Sequence, residues 1–356
     1  MSTYVNLRGY NNQDTKNVVP YQTFPASFIN TGQVWYGADN NFYIQKQTAT
    51  VNSWSIGNNP PLFSPSNSFT AGACGTQTAA LGFGKGFTPS VLAESYDGTN
   101  WAAITNMNTN RAGGACSSSG SQTAAVVFGG SLTVPPATPS TNTIATISKW
   151  NGSAWSAGND MPFRRAGLGG TGTSTAALAF GGAAPNATPA PTRTTNTAAK
   201  YDGTNWTNVN AMAANPIGPT QFNSITGCGT QTATFAWSGT PLVNYQVYDG
   251  TNWTNITALN TPRRQGGAAG TSTNLIAFGG IPGNPASGVT RDTERWNGTS
   301  WTTLLNRNVG TSNSPGVGSS TSALSAAGSF SSQGPSSTST TEEWDTNLFS
   351  SKLTTS

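Results

Sequence analysis

Tyr96-Asp97-Gly98-Thr99-Asn100-Trp101 recurs unchanged at Tyr201–Trp206 and at Tyr248–Trp253. Looser copies read Trp150-Asn151-Gly152-Ser153-Ala154-Trp155 and Trp296-Asn297-Gly298-Thr299-Ser300-Trp301. A worn first copy closes at Trp54, and a degenerate last one runs from Trp344 to Phe349. The anchors Trp54, Trp101, Trp155, Trp206, Trp253, Trp301 and Phe349 are spaced by 47, 54, 51, 47, 48 and 48 residues. A period of about fifty residues marks blades that bury their faces only against their neighbours.

A second anchor keeps the same beat. Short apolar runs end in an aromatic and glycine: Ala79 to Gly84, Ala124 to Gly130, Ala176 to Gly182, Thr234 to Gly239 and Leu275 to Gly280. Weaker copies are Val34-Trp35-Tyr36-Gly37 and Leu324 to Gly328. Residues 113–160 spell out one unit. Gly113 to Cys116 predicts an inner strand of small residues, Ser117 to Gln122 a turn, and Thr123 to Phe128 an apolar second strand. A third strand follows around Thr143 to Trp150, and Asn151-Gly152 is a hairpin signal because a type I′ turn needs positive φ at both central residues. Trp155 opens the outer strand. No helical periodicity is sustained, and Gly and Pro punctuate every segment.

A diglycine after an apolar strand, then a Tyr or Trp, then a Trp five residues later, resembles the kelch repeat. Met161-Pro162 with Arg164 and Arg165 resembles it too. The resemblance runs from about Phe24 to the end and implies an all-β, seven-bladed kelch-type β-propeller over residues 22–356. The alternative is a six-bladed ring with a divergent N-terminal segment, since residues 1 to 54 match the pattern poorly. Residues 1–21 are expected to be an arm, or to clasp the ring by adding Thr3-Tyr4-Val5-Asn6-Leu7 as an outer strand to the last blade.

Charged residues are only 8% of the chain, yet eleven Trp, fifteen Phe and nine Tyr argue for a packed fold rather than disorder. A net charge of +4, with no Lys/Arg run longer than two, leaves no nucleic-acid footprint. No apolar stretch approaches membrane-spanning length and no signal peptide opens the chain, so a soluble protein made in the cytoplasm is expected. Three cysteines do not make a disulfide framework. Cys74 and Cys228 share a repeat position, and Cys116 is expected at the same place after a short insertion; all three read as small buried residues.

The chain has no histidine, which removes His-ligated metals, Ser-His-Asp triads and imidazole proton shuttles. Kelch enzymes of the copper-radical oxidase type therefore lend no activity, because their His ligands have no counterpart. Glu94, Asp292, Glu294, Glu342 and Glu343 precede the third-strand aromatics and are expected on the outer parts of the blades. Adjacent Glu342 and Glu343 should face opposite sides of a strand and so cannot form a glycosidase pair. No enzyme, cofactor or metal is expected.

Two surfaces remain as candidates. Arg111, Arg164-Arg165 and Arg263-Arg264 each precede an inner strand, and kelch adaptors bind acidic partners with arginines at that rim. The loops 131–142, 183–196 and 281–290 vary most between copies and carry Pro135, Pro136, Pro139, Pro185, Pro189, Pro191, Pro282 and Pro285. Binding commonly resides in such loops on a rigid scaffold. The recurring tryptophans read as blade-to-blade packing rather than a sugar-stacking row.

Gly-Thr-Gln-Thr-Ala at 75–79 and 229–233, joined to Tyr-Asp-Gly-Thr-Asn-Trp, is similar to kelch-like repeat proteins of marine bacteriophages. That resemblance implies a virion protein of the tail or capsid, made in the host cytoplasm and present in multiple copies. Its expected partners are other virion proteins or host-surface glycans. A secreted or cell-surface carbohydrate-binding propeller is the alternative.

Overall fold

The computed structural model describes residues 34–36, 42–44, 51–61, 69, 71–85, 88–133, 142–184, 195–213, 225–238, 244–282, 288–329 and 337–347. The chain divides into two compact units, Met1–Val51 with Asn347–Ser356, and Asn52–Thr346. The boundary thus falls near residue 51 rather than 21. In the first unit Val34–Tyr36 pairs antiparallel with Phe42–Ile44. The predicted weak copy at Val34 is therefore one side of a separate two-stranded ladder, not a blade strand.

Among the described residues of the second unit every named element is a strand, and the strands form six four-stranded sheets and one two-stranded ladder, Arg263–Arg264 with Ile281–Pro282. Blade 1 holds Ala73–Thr76, Ala79–Lys85, Thr88–Tyr96 and Trp101–Ala103. Blade 2 holds Ala115–Cys116, Ala125–Phe128, Ile147–Trp150 and Trp155–Ala157. Blade 3 holds Gly169–Thr173, Ala176–Phe180, Ala198–Tyr201 and Trp206–Val209. Blade 4 holds Thr226–Thr230, Ala233–Ser238, Asn244–Tyr248 and Trp253–Asn255. Blade 5 holds Gly267–Thr271, Asn274–Phe278, Thr293–Trp296 and Trp301–Thr303. Blade 6 is built from both ends of the chain: Gly316–Gly318, Ser322–Ser329 and Ser337–Asn347, with Val51–Gly57 as its outermost strand.

That last sheet corrects the main expectation of seven blades to the alternative of six. Trp54 does not close a first blade; its ring lies 5.5 Å from Trp344, the third-strand aromatic of blade 6. The linear spacing counts one split blade twice, once at each end. Phe349 and Thr3–Leu7 lie outside the described residues. The clasping strand is Val51–Gly57.

The anchor motif forms because its turn is locally self-sufficient. Oδ1 of Asp97 accepts the backbone N–H groups of Thr99 and Asn100, and Asp202 and Asp249 repeat this. Asn151 and Asn297 do the same with their amide oxygens. The turn sets Tyr96 directly opposite Trp101, and the same register recurs in blades 2 to 5. Each outer Trp also meets the second-strand aromatic of the preceding blade. The pairs are Phe83–Trp155, Phe128–Trp206, Phe180–Trp253, Phe235–Trp301 and Phe278–Trp54, with ring centroids 5.0–5.9 Å apart. The second strand of blade 6 has no aromatic, and Phe69 packs on Trp101 instead, at 5.2 Å. The tryptophans are thus blade-to-blade packing.

Inner strands are small because the neighbouring blade leaves no room. A Cβ on Gly170 of blade 3 would sit 2.5 Å from the carbonyl oxygen of Cys116 in blade 2.

Candidate functional site

Antiparallel blades sort their connections into two ends. The inner hairpins and Asp-Gly turns emerge at one end. The loops after the diglycines and the blade-to-blade connectors emerge at the other. The described roots of loops 131–142, 183–196 and 281–290, at Ser131, Ala183 and Ile281, therefore leave from one face. Their roots are pinned to the incoming connectors by short antiparallel bridges: Ala112 with Ser131, Ala166 with Ala183, and Arg263–Arg264 with Ile281–Pro282. Pro282 is half-buried in that ladder. Pro135, Pro136, Pro139, Pro185, Pro189, Pro191 and Pro285 lie outside the described residues.

The arginine reading needs correction. Arg111, Arg165 and Arg263 are buried, at 0%, 1% and 0% exposure, and do not form a rim of free cations. Both glycines of each pair are left-handed, with φ of 64° and 106° at Gly129-Gly130, 63° and 92° at Gly181-Gly182, and 60° and 102° at Gly279-Gly280. Two such residues turn the chain out of its ladder, so the first carbonyl needs another donor. Arg111 Nη1 donates to Gly129 O at 2.7 Å, Arg165 Nη1 to Gly181 O at 2.6 Å, and Arg263 Nε to Gly279 O at 2.9 Å. The arginines expected to bind a partner instead clamp the roots of the variable loops. Arg164 is exposed and Arg264 half-buried.

What else each guanidinium touches differs between blades. Arg111 bonds Thr146 O and Ser148 Oγ, and Arg165 bonds Thr197 through its carbonyl and hydroxyl. Burial pulls Arg111 down to about 10 and Arg165 down to about 9. Arg263 instead meets Glu294 at 2.5 Å.

Arg307 escaped the sequence reading. It lies six residues after Trp301, where other blades bury Met107, Met161, Met212 or Leu259. Thr311 stands where the clamp arginine is expected, and Arg307 reaches it with Nη1 at 2.6 Å while Nε donates to Glu342 at 2.8 Å. Its guanidinium lies 5.2 Å from the Trp54 ring centroid. Burial lowers its pKa, and Glu342 opposes that shift. A signal existed: Glu342 matches Glu294 in the repeat, but no arginine precedes blade 6 at the usual distance.

Three of the five carboxylates expected on the outer parts of the blades, Glu94, Glu294 and Glu342, are fully buried two residues before the third-strand aromatic, whereas Asp292 and Glu343 are half-buried. Glu294 accepts the N–H groups of Asn260 and Thr261, and Glu342 those of Asn308 and Val309. Gln246 caps Ala213 in blade 4 by bonding both its N–H and its carbonyl. Glu343 faces the other side, as expected, and accepts the Tyr96 hydroxyl of blade 1. Burial, then Glu343, raises the Tyr96 pKa. The matching residues Lys149, Lys200 and Arg295 each bond a carbonyl of the following blade, Gly203, Gly250 and Ser320.

The glutamine of the Gly-Thr-Gln-Thr signature, and of its looser copy Gly120-Ser121-Gln122-Thr123, also has a structural role. Gln77, Gln122 and Gln231 donate to the carbonyls of Trp344, Tyr96 and Tyr201, the third-strand aromatics of the preceding blades. Cys74, Cys116 and Cys228 are free and buried. Register puts Ser117, not Cys116, opposite the residue matching the partner of Cys74, so Cys116 sits one place early. Its Sγ lies 3.1 Å from Ala73 O, and burial pushes the Cys74 thiol up to about 12.

No family model matches the chain, and no curated protein matches it. A solved structure described as "Structure of YjhT" superposes with a TM-score of 0.59, covering 80% of this chain and 96% of that one at 14% identity. The chain is a β-propeller. At this identity the likeness establishes the propeller fold and nothing about chemistry. The buried ions of the propeller sit at joints between blades and at loop roots.

Proposed function

We propose that this propeller is a non-catalytic, kelch-like virion component of a bacteriophage. It is displayed in multiple copies on tail or capsid and meets its partner through the face that carries loops 131–142, 183–196 and 281–290. The observation behind this reading is the construction of the loop roots. A left-handed diglycine, an arginine clamp and a bridge to the connector recur in blades 2, 3 and 5, while the loops mounted on them differ in length and composition. The same diglycines, Tyr/Trp–Trp pairs and clamp arginines support the kelch likeness. Low charge and inter-blade stapling suit a protein that must persist outside a cell. The partner is another virion protein or a host-surface glycan.

Replacing 134–141, 185–194 and 283–287 by short Gly/Ser connections, with the roots intact, tests the reading. The melting temperature should stay nearly unchanged, because loop closure depends weakly on length. Incorporation into particles or attachment to host cells should be lost. Retention of both would place the partner surface elsewhere. A secreted or cell-surface lectin would instead bind glycans as a free chain and be missing from purified particles.

A further inference from the structure

We infer that the cavity between the inner hairpin turns of blades 1, 2 and 6 binds a neutral saccharide residue. This site lies at the end of the ring opposite the variable loops and does not depend on the virion reading.

The cavity exists because one blade breaks the repeat. Five blades end the inner strand on a left-handed glycine: Gly75, Gly172, Gly229, Gly270 and Gly318, with φ of 116°, 88°, 110°, 122° and 97°. Pairing register puts Ser118 at that position in blade 2. Gly75 and its partner Ala80 enclose four residues, whereas Ser118 and Ala125 enclose six, Ser119 to Ala124. The longer turn reaches over its neighbours. Ser119 N–H donates to Gly172 O of blade 3 at 2.9 Å, and Ser119 Oγ donates to Gly229 O of blade 4 at 2.7 Å. The turn is thereby tied down across two blades. Between it and the turns of blades 1 and 6 lies a hollow of about 450 Å³.

Its side-chain lining comes from Thr76, Gln77, Thr78, Ser118, Ser319 and Ser322, with glycine backbone between them. None of these groups carries charge at any ordinary pH. Hydroxyls both donate and accept, and so does an amide. The wall is set in advance. Gln77 is buried, donates to Trp344 O at 3.0 Å and accepts Ser322 Oγ at 2.5 Å, and Ser322 N–H donates to Ser319 Oγ at 3.0 Å. Ser118 Oγ is sealed from solvent and does not open onto the hollow; the hydroxyls a ligand can reach are those of Thr76 and Thr78, which are exposed.

The size falls within the range of roughly 300–1,000 Å³ seen for small-ligand pockets. With no charged side chain, the cavity selects against anionic and cationic ligands, which would lose hydration without compensation. Its apolar surface is threonine methyl and glycine carbon scattered between hydroxyls, with no aromatic or aliphatic side chain to seat an apolar ligand. A compact, uncharged ligand carrying several hydroxyls matches both conditions.

The test is titration of the full chain with glucose, galactose and N-acetylglucosamine, with glucuronate as the charged counterpart, read by saturation-transfer NMR. At least one neutral sugar should bind saturably, with Kd of about 1 mM or tighter, and glucuronate at least about tenfold more weakly. Thr76→Trp fills the hollow from an exposed turn position and should abolish binding. Thr78→Ala removes an exposed lining hydroxyl without touching the wall bonds of Gln77 and Ser322, so the ring should fold, and binding should weaken about tenfold. The inference fails if no neutral sugar binds saturably, if glucuronate binds as well, or if Thr76→Trp leaves binding unchanged. Sugar binding lost in the loop-shortened variant but kept in Thr76→Trp also overturns it and moves glycan recognition to the loop face. Loss in Thr76→Trp with normal attachment separates this site from the partner face.

Discussion

Arg307 and Glu342 illustrate how little a repeat constrains single residues while still fixing what must be solved at each joint. In blade 5, Arg263 enters from the connector and meets Glu294; in blade 6, the cation enters from the position other blades give to methionine. Both arrangements deliver donors to the same buried region. Removing one partner strands the other without solvent. Glu342→Leu should therefore destabilise by about 3–5 kcal/mol, and Arg307→Met by a similar amount. The double variant, which restores the buried methionine of other blades, should recover the part of the loss that belongs to the pair but not the part that comes from the Asn308 and Val309 N–H groups left without an acceptor. Urea unfolding of the four species measures this; additive losses would refute a coupled pair.

At the scale of the element, the Asp-Gly turns make stability depend on pH. Backbone N–H bonds from Asn100 and Thr99 hold the Asp97 carboxyl below its ordinary range, and Asp202 and Asp249 are lowered by the equivalent bonds. A carboxylate with a depressed folded pKa contributes stability above its unfolded pKa of about 4, and loses it as pH falls through the folded value. Blades 2 and 5 use Asn151 and Asn297 for the same two bonds without titrating. The triple variant Asp97→Asn, Asp202→Asn, Asp249→Asn should keep the turns. Its melting temperature should fall less than the wild type's between about pH 5 and about pH 2; parallel curves would show that these turns do not contribute.

For the molecule as a whole, ring closure rests on one strand. Val51–Gly57 completes blade 6, and Trp54 packs on Trp344 of its own blade and on Phe278 of blade 5, with Nε1 donating to Thr293 at 2.9 Å. A chain starting at Asn58 would leave both aromatic rings uncovered and the outer edge of blade 6 unpaired. It should unfold at lower temperature and less cooperatively than a chain starting at Val51, as calorimetry would show. Equal transitions would mean that the ring does not need this strand.

The spacing of the Tyr/Trp–Trp pairs already determined an all-β propeller, since only stacked blades can bury such a face at that period. The hairpin positions were legible too, because Asp-Gly and Asn-Gly satisfy their own backbone bonds locally, but the type I′ form was not: only the glycine takes a positive φ, and four residues separate the paired aromatics. The packing role of Trp101 or Trp253 followed from its fixed place in the repeat. Blade number did not follow, because nothing local in Val51–Gly57 says that its hydrogen-bonding partner, Ser337–Asn347, lies at the other end of the chain. The fate of Arg111, Arg165 and Arg263 was hidden for the same reason. An arginine before an inner strand reads as a solvated rim until the carbonyl of a left-handed diglycine arrives from farther along the chain. The hollow beside Ser118 was likewise invisible. Two extra residues in one turn become a site only when blades 3 and 4 supply the carbonyls that hold that turn across the ring. Local pattern decides which elements form; long-range partners decide which polar groups are consumed inside and which are left to meet a ligand.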